Sequence, residues 1–128
     1  MANPISESMA KGTIGELLVQ TRLLQYGVQA AAPLKDSGND LVALKGNTVR
    51  TIQVKTCTDR FGTPVLPEKY HLVAFVKLHG YDTELQLDQT KVYLVAKDQL
   101  VGLNINRETD MTPFVISQEL VDRLFVEP

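Results

Sequence analysis

Residues 37–55 read SGNDLVALKGNTVRTIQVK, and this stretch decides the fold. The pair Gly46-Asn47 favours the positive φ angles of a two-residue hairpin turn. Such a turn pairs Lys45 with Thr48, and it predicts a β-hairpin whose strands cover residues 41–44 and 49–56.

Three polar residues meet when this pairing is followed outward from the turn. Asp40 falls opposite Gln53, and Lys55 lies on the same face as Gln53 because side chains alternate along a strand. Facing Cβ atoms in such a pair are roughly 5 Å apart. An acid, an amide and an amine on one sheet face are suited to holding a divalent cation and a phosphate, which predicts a nuclease-like protein.

The remainder of the chain predicts an α/β domain. Apolar residues at helical spacing over 14–24 indicate a first helix, with Ser6 or Ser8 at its start and Gly27 at its end. The other predicted elements are an edge strand at 28–32, a loop at 60–68, strands at 70–78 and 92–96, a short strand at 100–105, and a helix that begins at Ser117. We therefore expect a mixed central sheet of about four or five strands flanked by helices.

Both faces of the predicted hairpin carry apolar side chains. Val42, Leu44 and Val49 share the face of the polar residues, while Leu41 and Ile52 lie on the other. This pattern predicts strands that are covered on both sides.

Composition bounds the class of protein. The 128 residues, 44% hydrophobic and 22% charged, fit one globular domain over residues 1–128. The start lacks the pattern of a signal peptide, and no apolar run approaches the ~20 residues that span a bilayer. With Cys57 as its one cysteine, the chain is expected to be reduced and cytoplasmic. Residues 1–60 carry seven basic and five acidic residues, whereas residues 61–128 carry six and ten. The net charge is therefore positive in the first half and negative in the second.

The pattern resembles the PD-(D/E)XK nuclease superfamily. The matching segments are Gly12–Glu16 on the first helix, Ser37–Ala43 and Ile52–Lys55. Archaeal Holliday-junction resolvases have a similar layout, with a Lys-Gly-x-x-x-Glu helix start, an aspartate that opens a strand and an acid-x-lysine motif on the next strand. The resemblance implies a restriction-endonuclease-like fold and metal-dependent hydrolysis of DNA phosphodiester bonds.

The resemblance also implies a role for each residue. Asp40 is expected to be the central ligand of Mg²⁺ or Mn²⁺, since hard cations prefer carboxylate oxygen. Gln53 is expected to supply its amide oxygen, Val54 its backbone carbonyl, and Glu16 a second carboxylate. Lys55 is expected to orient or deprotonate the attacking water, or to neutralise charge on the phosphate.

Gln53 departs from the pattern, because most of the superfamily has Asp or Glu there. The cyanobacterial group I intron homing endonuclease family also has Gln before x-Lys, which favours an active enzyme. The alternative is a catalytically inactive nuclease-fold module that binds nucleic acid or a protein partner, such as an accessory protein of a mobile element.

Each residue also has an ordinary structural interpretation. Asp40 could be a turn residue, Gln53 and Lys55 could lie on an exposed strand face, and Glu16 could be a solvated helix acid.

Contacts to DNA and to a second copy of the chain are predicted as well. Lys11, Lys35, Arg50 and Arg60 are candidates for phosphate contact, as are Ser37 and Asn39 in the loop before Asp40. A homodimer or higher oligomer would present two sites to two DNA strands, and the apolar strands of the second half suggest its interface.

Overall fold

A computed structural model describes residues 4–34, 38–103, 105 and 109–126 of the chain. Lys45 pairs with Thr48 across a turn of Gly46 and Asn47, and Gly46 has a φ of +60°. The ladder then continues without a slip to the pair Leu41–Ile52. The register that was predicted from the turn is therefore confirmed along this hairpin.

Five strands form one mixed sheet, as predicted. Their spatial order follows the chain: β1 (Gln29–Ala31), β2 (Leu41–Lys45), β3 (Thr48–Cys57), β4 (Leu72–Lys77) and β5 (Lys91–Ala96). β3 and β4 are parallel, and the other neighbouring pairs are antiparallel. A parallel pair needs a long connection, and residues 58–71 provide it here.

The first and the last helix begin at predicted capping residues, and the first ends before the predicted glycine. In α1 (Glu7–Gln25), the hydroxyl of Ser6 accepts a hydrogen bond from the N–H of Met9, and Gly27 follows the helix with a φ of +85°. In α3 (Gln118–Leu124), the hydroxyl of Ser117 accepts from the N–H of Leu120. Among the described residues, no helix is long and apolar enough to cross a membrane.

The short strand predicted at 100–105 is wrong. Residues Lys97–Leu103 form a helix, α2, directly after β5. Leu100 is buried in it, whereas Gln99 and Val101 are exposed, so one side of a helical turn faces the core. A short apolar run fits a buried strand or a buried helical turn equally well, which is why the sequence pattern failed here.

Two apolar clusters lie on opposite faces of the sheet. On one face, Val19 and Leu23 of α1 and Leu120 of α3 pack against Leu41 and Ile52. On the other face, the connection 58–71, α2 and a 3₁₀ turn (Thr112–Phe114) enclose the second cluster, which contains Phe61, Tyr70, Val73, Phe75, Val95, Leu100, Ile105, Met111 and Phe114.

The second cluster covers β4 and β5 but not the hairpin. Val42, Leu44 and Val49 are 36, 42 and 47% exposed, so the prediction that both hairpin faces are covered is wrong. The reason is that the covering segments cross the sheet beyond β3. The apolar strands that suggested an oligomer interface are also internal, since residues Leu72–Val76 of β4 are buried within the chain.

Gly15 allows α1 to lie close against β3. A Cβ at this buried position would overlap Oγ1 of Thr56 and would lie 3.1 Å from Cβ and 3.2 Å from Cγ2 of the same residue. Rotation of Thr56 cannot relieve the overlap fully because its Cβ is fixed to the strand. Gly12, one turn earlier, has nothing within 4 Å of the equivalent position.

Gly15→Ala and Gly12→Ala should therefore have opposite effects on the free energy of unfolding measured with urea. We expect Gly15→Ala to destabilise the fold by about 1–3 kcal/mol through overpacking. Gly12→Ala should stabilise it by up to about 1 kcal/mol through helix propensity. Combining Gly15→Ala with Thr56→Ala should recover part of the loss, and equal effects of the two glycine variants would contradict this account of the α1–β3 contact.

Candidate active site

Asp40 directly precedes the first residue of β2 and lies beside β3. Its backbone N–H donates to the carbonyl of Ile52 at 3.1 Å, and its Oδ2 accepts a hydrogen bond from the N–H of Val54 at 2.8 Å. This carboxylate oxygen thus accepts the hydrogen bond that a carbonyl of a neighbouring strand would otherwise accept. A strand residue directs its N–H and C=O toward the same neighbour, so the carbonyl of Val54 faces this edge as well.

Glu16 is the second acidic group of the site. It follows Gly15 on α1 and is half-buried. Burial raises the pKa of the Glu16 carboxyl above its ordinary value, and the negative charge of Asp40 raises it further. The two carboxyl groups are therefore close enough to interact electrostatically. A positive charge nearby would stabilise the ionised form of both.

Gln53 contributes an amide oxygen that lacks a partner. Its Oε1 is buried and accepts no hydrogen bond. A buried polar atom without a partner costs free energy, so such atoms are rare unless they have a structural or functional reason. By register Gln53 follows Ile52, at the level of Asp40 across the hairpin.

Lys55 lies two residues further along β3, next to Phe75 of β4. It is half-buried and lines a cavity of about 260 Å³ together with Arg60, Phe61 and Phe75. Among the described residues, no hydrogen bond or ion pair links Lys55 or Gln53 to Asp40. Asp40 forms its hydrogen bonds with Ile52 and Val54 instead.

The predicted DNA contacts differ in their surroundings. Lys11 forms an ion pair with Glu7 at 3.6 Å and lies 5.1 Å from the ring centroid of Tyr81. Arg60 is exposed beside the Lys55 cavity, and Asn39 is partly buried with an Oδ1 that has no hydrogen-bond partner. Lys35 and Ser37 lie outside the described residues.

Arg50, another predicted candidate for phosphate contact, also has a structural role. Its guanidinium donates to the carbonyls of Leu124, Val126 and Val49 at 2.9–3.2 Å. The bonds to Leu124 and Val126 tie the end of α3 to β3.

Sequence patterns had not indicated two features of the candidate site. The N–H of Val54, which holds Asp40, has no side-chain signal. Gly15, which lets α1 bring Glu16 near Asp40, did have one, because a glycine inside a helix is unfavourable without a packing reason.

The available oxygen atoms fit a hard divalent cation. Carboxylates from Asp40 and Glu16, the unpartnered Oε1 of Gln53 and the carbonyl of Val54 are the ligand types that Mg²⁺ takes. Among the described residues, no three or more His, Cys, Asp or Glu side chains are grouped so that they could hold a metal ion by themselves. The fit therefore depends on the amide and carbonyl oxygens as well as on the two acids.

Comparison with known proteins identifies a relative in fold. No family model matches the chain, and no curated protein matches it. The solved structure of a bacterial homing endonuclease, I-Ssp6803I, superposes with a TM-score of 0.61 and 17% sequence identity over 94% of each chain. The chain therefore has a nuclease-like fold, and the finer resemblance to PD-(D/E)XK enzymes and resolvases stays a prediction from sequence.

The raised pKa of Glu16 makes stability depend on pH in a defined direction. Protonation of Glu16 favours the folded state, and this contribution is present below its ordinary value of 4.5 and is lost as the pH rises through the raised value. Glu16→Gln should flatten this part of the dependence when urea unfolding is measured between about pH 4 and pH 7.

The matched control is Glu84→Gln, which removes an exposed carboxylate in a loop. It should leave the slope between those pH values as in the wild type. A Glu16→Gln profile that runs parallel to the wild-type profile would mean that Glu16 is not perturbed by Asp40 and burial.

Proposed function

We propose that this protein is a metal-dependent endonuclease that hydrolyses DNA phosphodiester bonds. The observation that carries the proposal is the Asp40 carboxylate, fixed by the N–H of Val54 within electrostatic reach of Glu16. Gln53, whose amide oxygen has no partner, lies at the same level of the hairpin. The similarity in fold to a homing endonuclease supports it.

The chain's own residues would share the work as follows. Asp40, Glu16, Gln53 and the carbonyl of Val54 would hold Mg²⁺ or Mn²⁺. When bound, the cation would supply positive charge that polarises the scissile phosphate. The hydrogen bond from Val54 keeps one oxygen of Asp40 in place, so the other remains available.

Lys55 would act on the phosphate and the attacking water. Hydrolysis forms a bond between a water oxygen and phosphorus while a sugar oxygen leaves, and negative charge gathers on the phosphate oxygens. A half-buried ammonium stabilises that charge more strongly than one in bulk water. Lys55 would also orient the water through its N–H donors.

A second candidate function is that of an inactive module on the same scaffold. Gln53 favours it, because an amide neither carries charge nor acts as a base. Glu16, Asp40, Gln53 and Lys55 together have a formal charge of −1, which is a weak attraction for a divalent cation. Such a module would bind DNA or a protein partner without cleaving DNA.

Cleavage assays distinguish the two functions. Purified protein is incubated with supercoiled, linear and branched DNA in Mg²⁺ or Mn²⁺, and products are separated on gels. We expect wild-type cleavage to stop when the metal is chelated. Asp40→Asn and Lys55→Met should each lower the rate by more than about 100-fold, because they remove a ligand and a charge that act at the reacting phosphate.

Asp88→Asn, in an exposed loop, is the control for loss of one carboxylate. Equal cleavage by the wild type, Asp40→Asn and Lys55→Met would place the activity elsewhere or in a contaminant. DNA binding that persists in all of them, with no cleavage by any, would favour the inactive module.

A further inference from the structure

A groove of about 950 Å³ opens where β4 begins and β5 ends. His71 and Lys97 lie at these strand ends, Arg50 comes from β3, and Arg123 and Leu124 come from α3. Neither Asp40 nor Glu16 lines it, so it is separate from the candidate active site.

The groove concentrates positive charge in an acidic protein. Arg50, Lys97 and Arg123 line it against one carboxylate, that of Asp98, whereas the whole chain has a net charge of −2. The Asp98 carboxylate accepts a hydrogen bond from the N–H of Gln99. The lining is thus net positive.

Two of these cations, Lys97 and Arg50, are held by neutral groups. Lys97 donates to the carbonyl of Glu68 at 2.6 Å and lies 4.9 Å from the ring centroid of Tyr70. Arg50 donates to backbone carbonyls, as described above. The ion pairs among the described residues, Lys11–Glu7 and Lys45–Asp122, both lie elsewhere. The groove cations therefore take part in no ion pair among the described residues.

His71 adds a neutral donor. Its Nδ1 accepts a hydrogen bond from the N–H of Thr51 at 2.9 Å, so the uncharged ring carries its proton on Nε2. Burial, Arg50 and Lys97 lower the pKa of His71. The two cations thus act on the imidazole, and an anion bound beside them would oppose that effect.

We propose that this groove binds the sugar–phosphate backbone of a DNA duplex, at a distance from the bond that is cut. The proposal rests on the proposed function for its choice of DNA. Arg50 and Lys55 lie on the same strand, five residues apart, which is roughly 16 Å at about 3.3 Å per residue. Because this separation is an odd number of residues, the two side chains point to opposite faces of β3, and the groove is a contact separate from the one at Lys55.

The groove also has the shape and surface for a polymer backbone. It is open to solvent, and Tyr70, Leu72 and Ala96 provide apolar wall between the cations. Phosphate contacts of this kind position a duplex without reading its sequence. Its role would be to set the orientation of DNA on the protein.

The test is DNA affinity as a function of salt, measured by fluorescence anisotropy with Ca²⁺ in place of Mg²⁺. Lys97→Gln and Arg123→Gln should each weaken binding to all duplex sequences alike. Each should also reduce the slope of log K against log[salt] by about 1. Lys91→Gln is the matched control, because it removes the same charge at the opposite end of β5.

Arg123→Gln also guards against a folding artefact, because Arg123 is an exposed residue of α3, whereas Lys97 holds a loop carbonyl. Circular dichroism and the urea midpoint verify the fold of each variant. If both groove variants match Lys91→Gln in affinity and slope, the proposal is overturned.

NMR titration of His71 separates a DNA site from a small-anion site. We expect duplex DNA to raise the pKa of His71 and millimolar inorganic phosphate to leave it nearly unchanged. A full shift with phosphate alone, which DNA does not displace, would overturn the assignment to DNA. If groove variants lose DNA affinity while the wild type never cleaves, the groove stands and the endonuclease function falls.

Discussion

The structure of the candidate site depends on the register of the β2–β3 hairpin. The two-residue turn at Gly46 and Asn47 pairs Lys45 with Thr48, and the ladder then runs unbroken to Leu41 and Ile52. Asp40 consequently arrives at the edge of β3, where the N–H of Val54 has no strand partner and binds its carboxylate. A slip of one residue would reverse the facing of the whole strand and separate the acid from that N–H.

A second constraint is the close approach of α1 to β3. Because position 15 has no side chain, the helix lies directly on Thr56, and the next residue, Glu16, comes within the field of Asp40. Two carboxyl groups and an unpartnered amide oxygen then share one region. In the absence of a cation this arrangement opposes ionisation of Glu16, so packing of the helix and chemistry of the site are coupled.

Local signals were sufficient for much of the architecture. The hairpin turn, the capping residues Ser6 and Ser117 and the glycine at 27 each act within a few residues, and each prediction agrees with the structure. The strand predicted at 100–105 is helical because a short apolar run carries no distinct period. The exposure of Val42, Leu44 and Val49 was not predictable, since it depends on the path of residues 58–71 across the other end of the sheet.

The sequence could not reveal those contacts of the site that form only when distant segments of the chain pack together. Gln53 and Asp40 could be placed by counting along the hairpin, whereas the contact with Glu16 requires the docking of α1. The cationic groove draws its residues from β3, β4, β5, α2 and α3, which lie far apart in the chain. No spacing rule connects Arg50 with Lys97 and Arg123.

The parallel pairing of β3 and β4 also affects the order in which parts of the chain fold. The β2–β3 and β4–β5 pairs are antiparallel and consecutive in sequence. Each can form its ladder outward from the segment that connects its two strands. The β3–β4 ladder must wait until residues 58–71 have looped back, and such non-local pairing is intrinsically slow. Glu16 and Asp40 precede that ladder in the chain and Val54 lies in the first of its two strands, so the groups of the candidate site belong to the part of the molecule that is synthesised first.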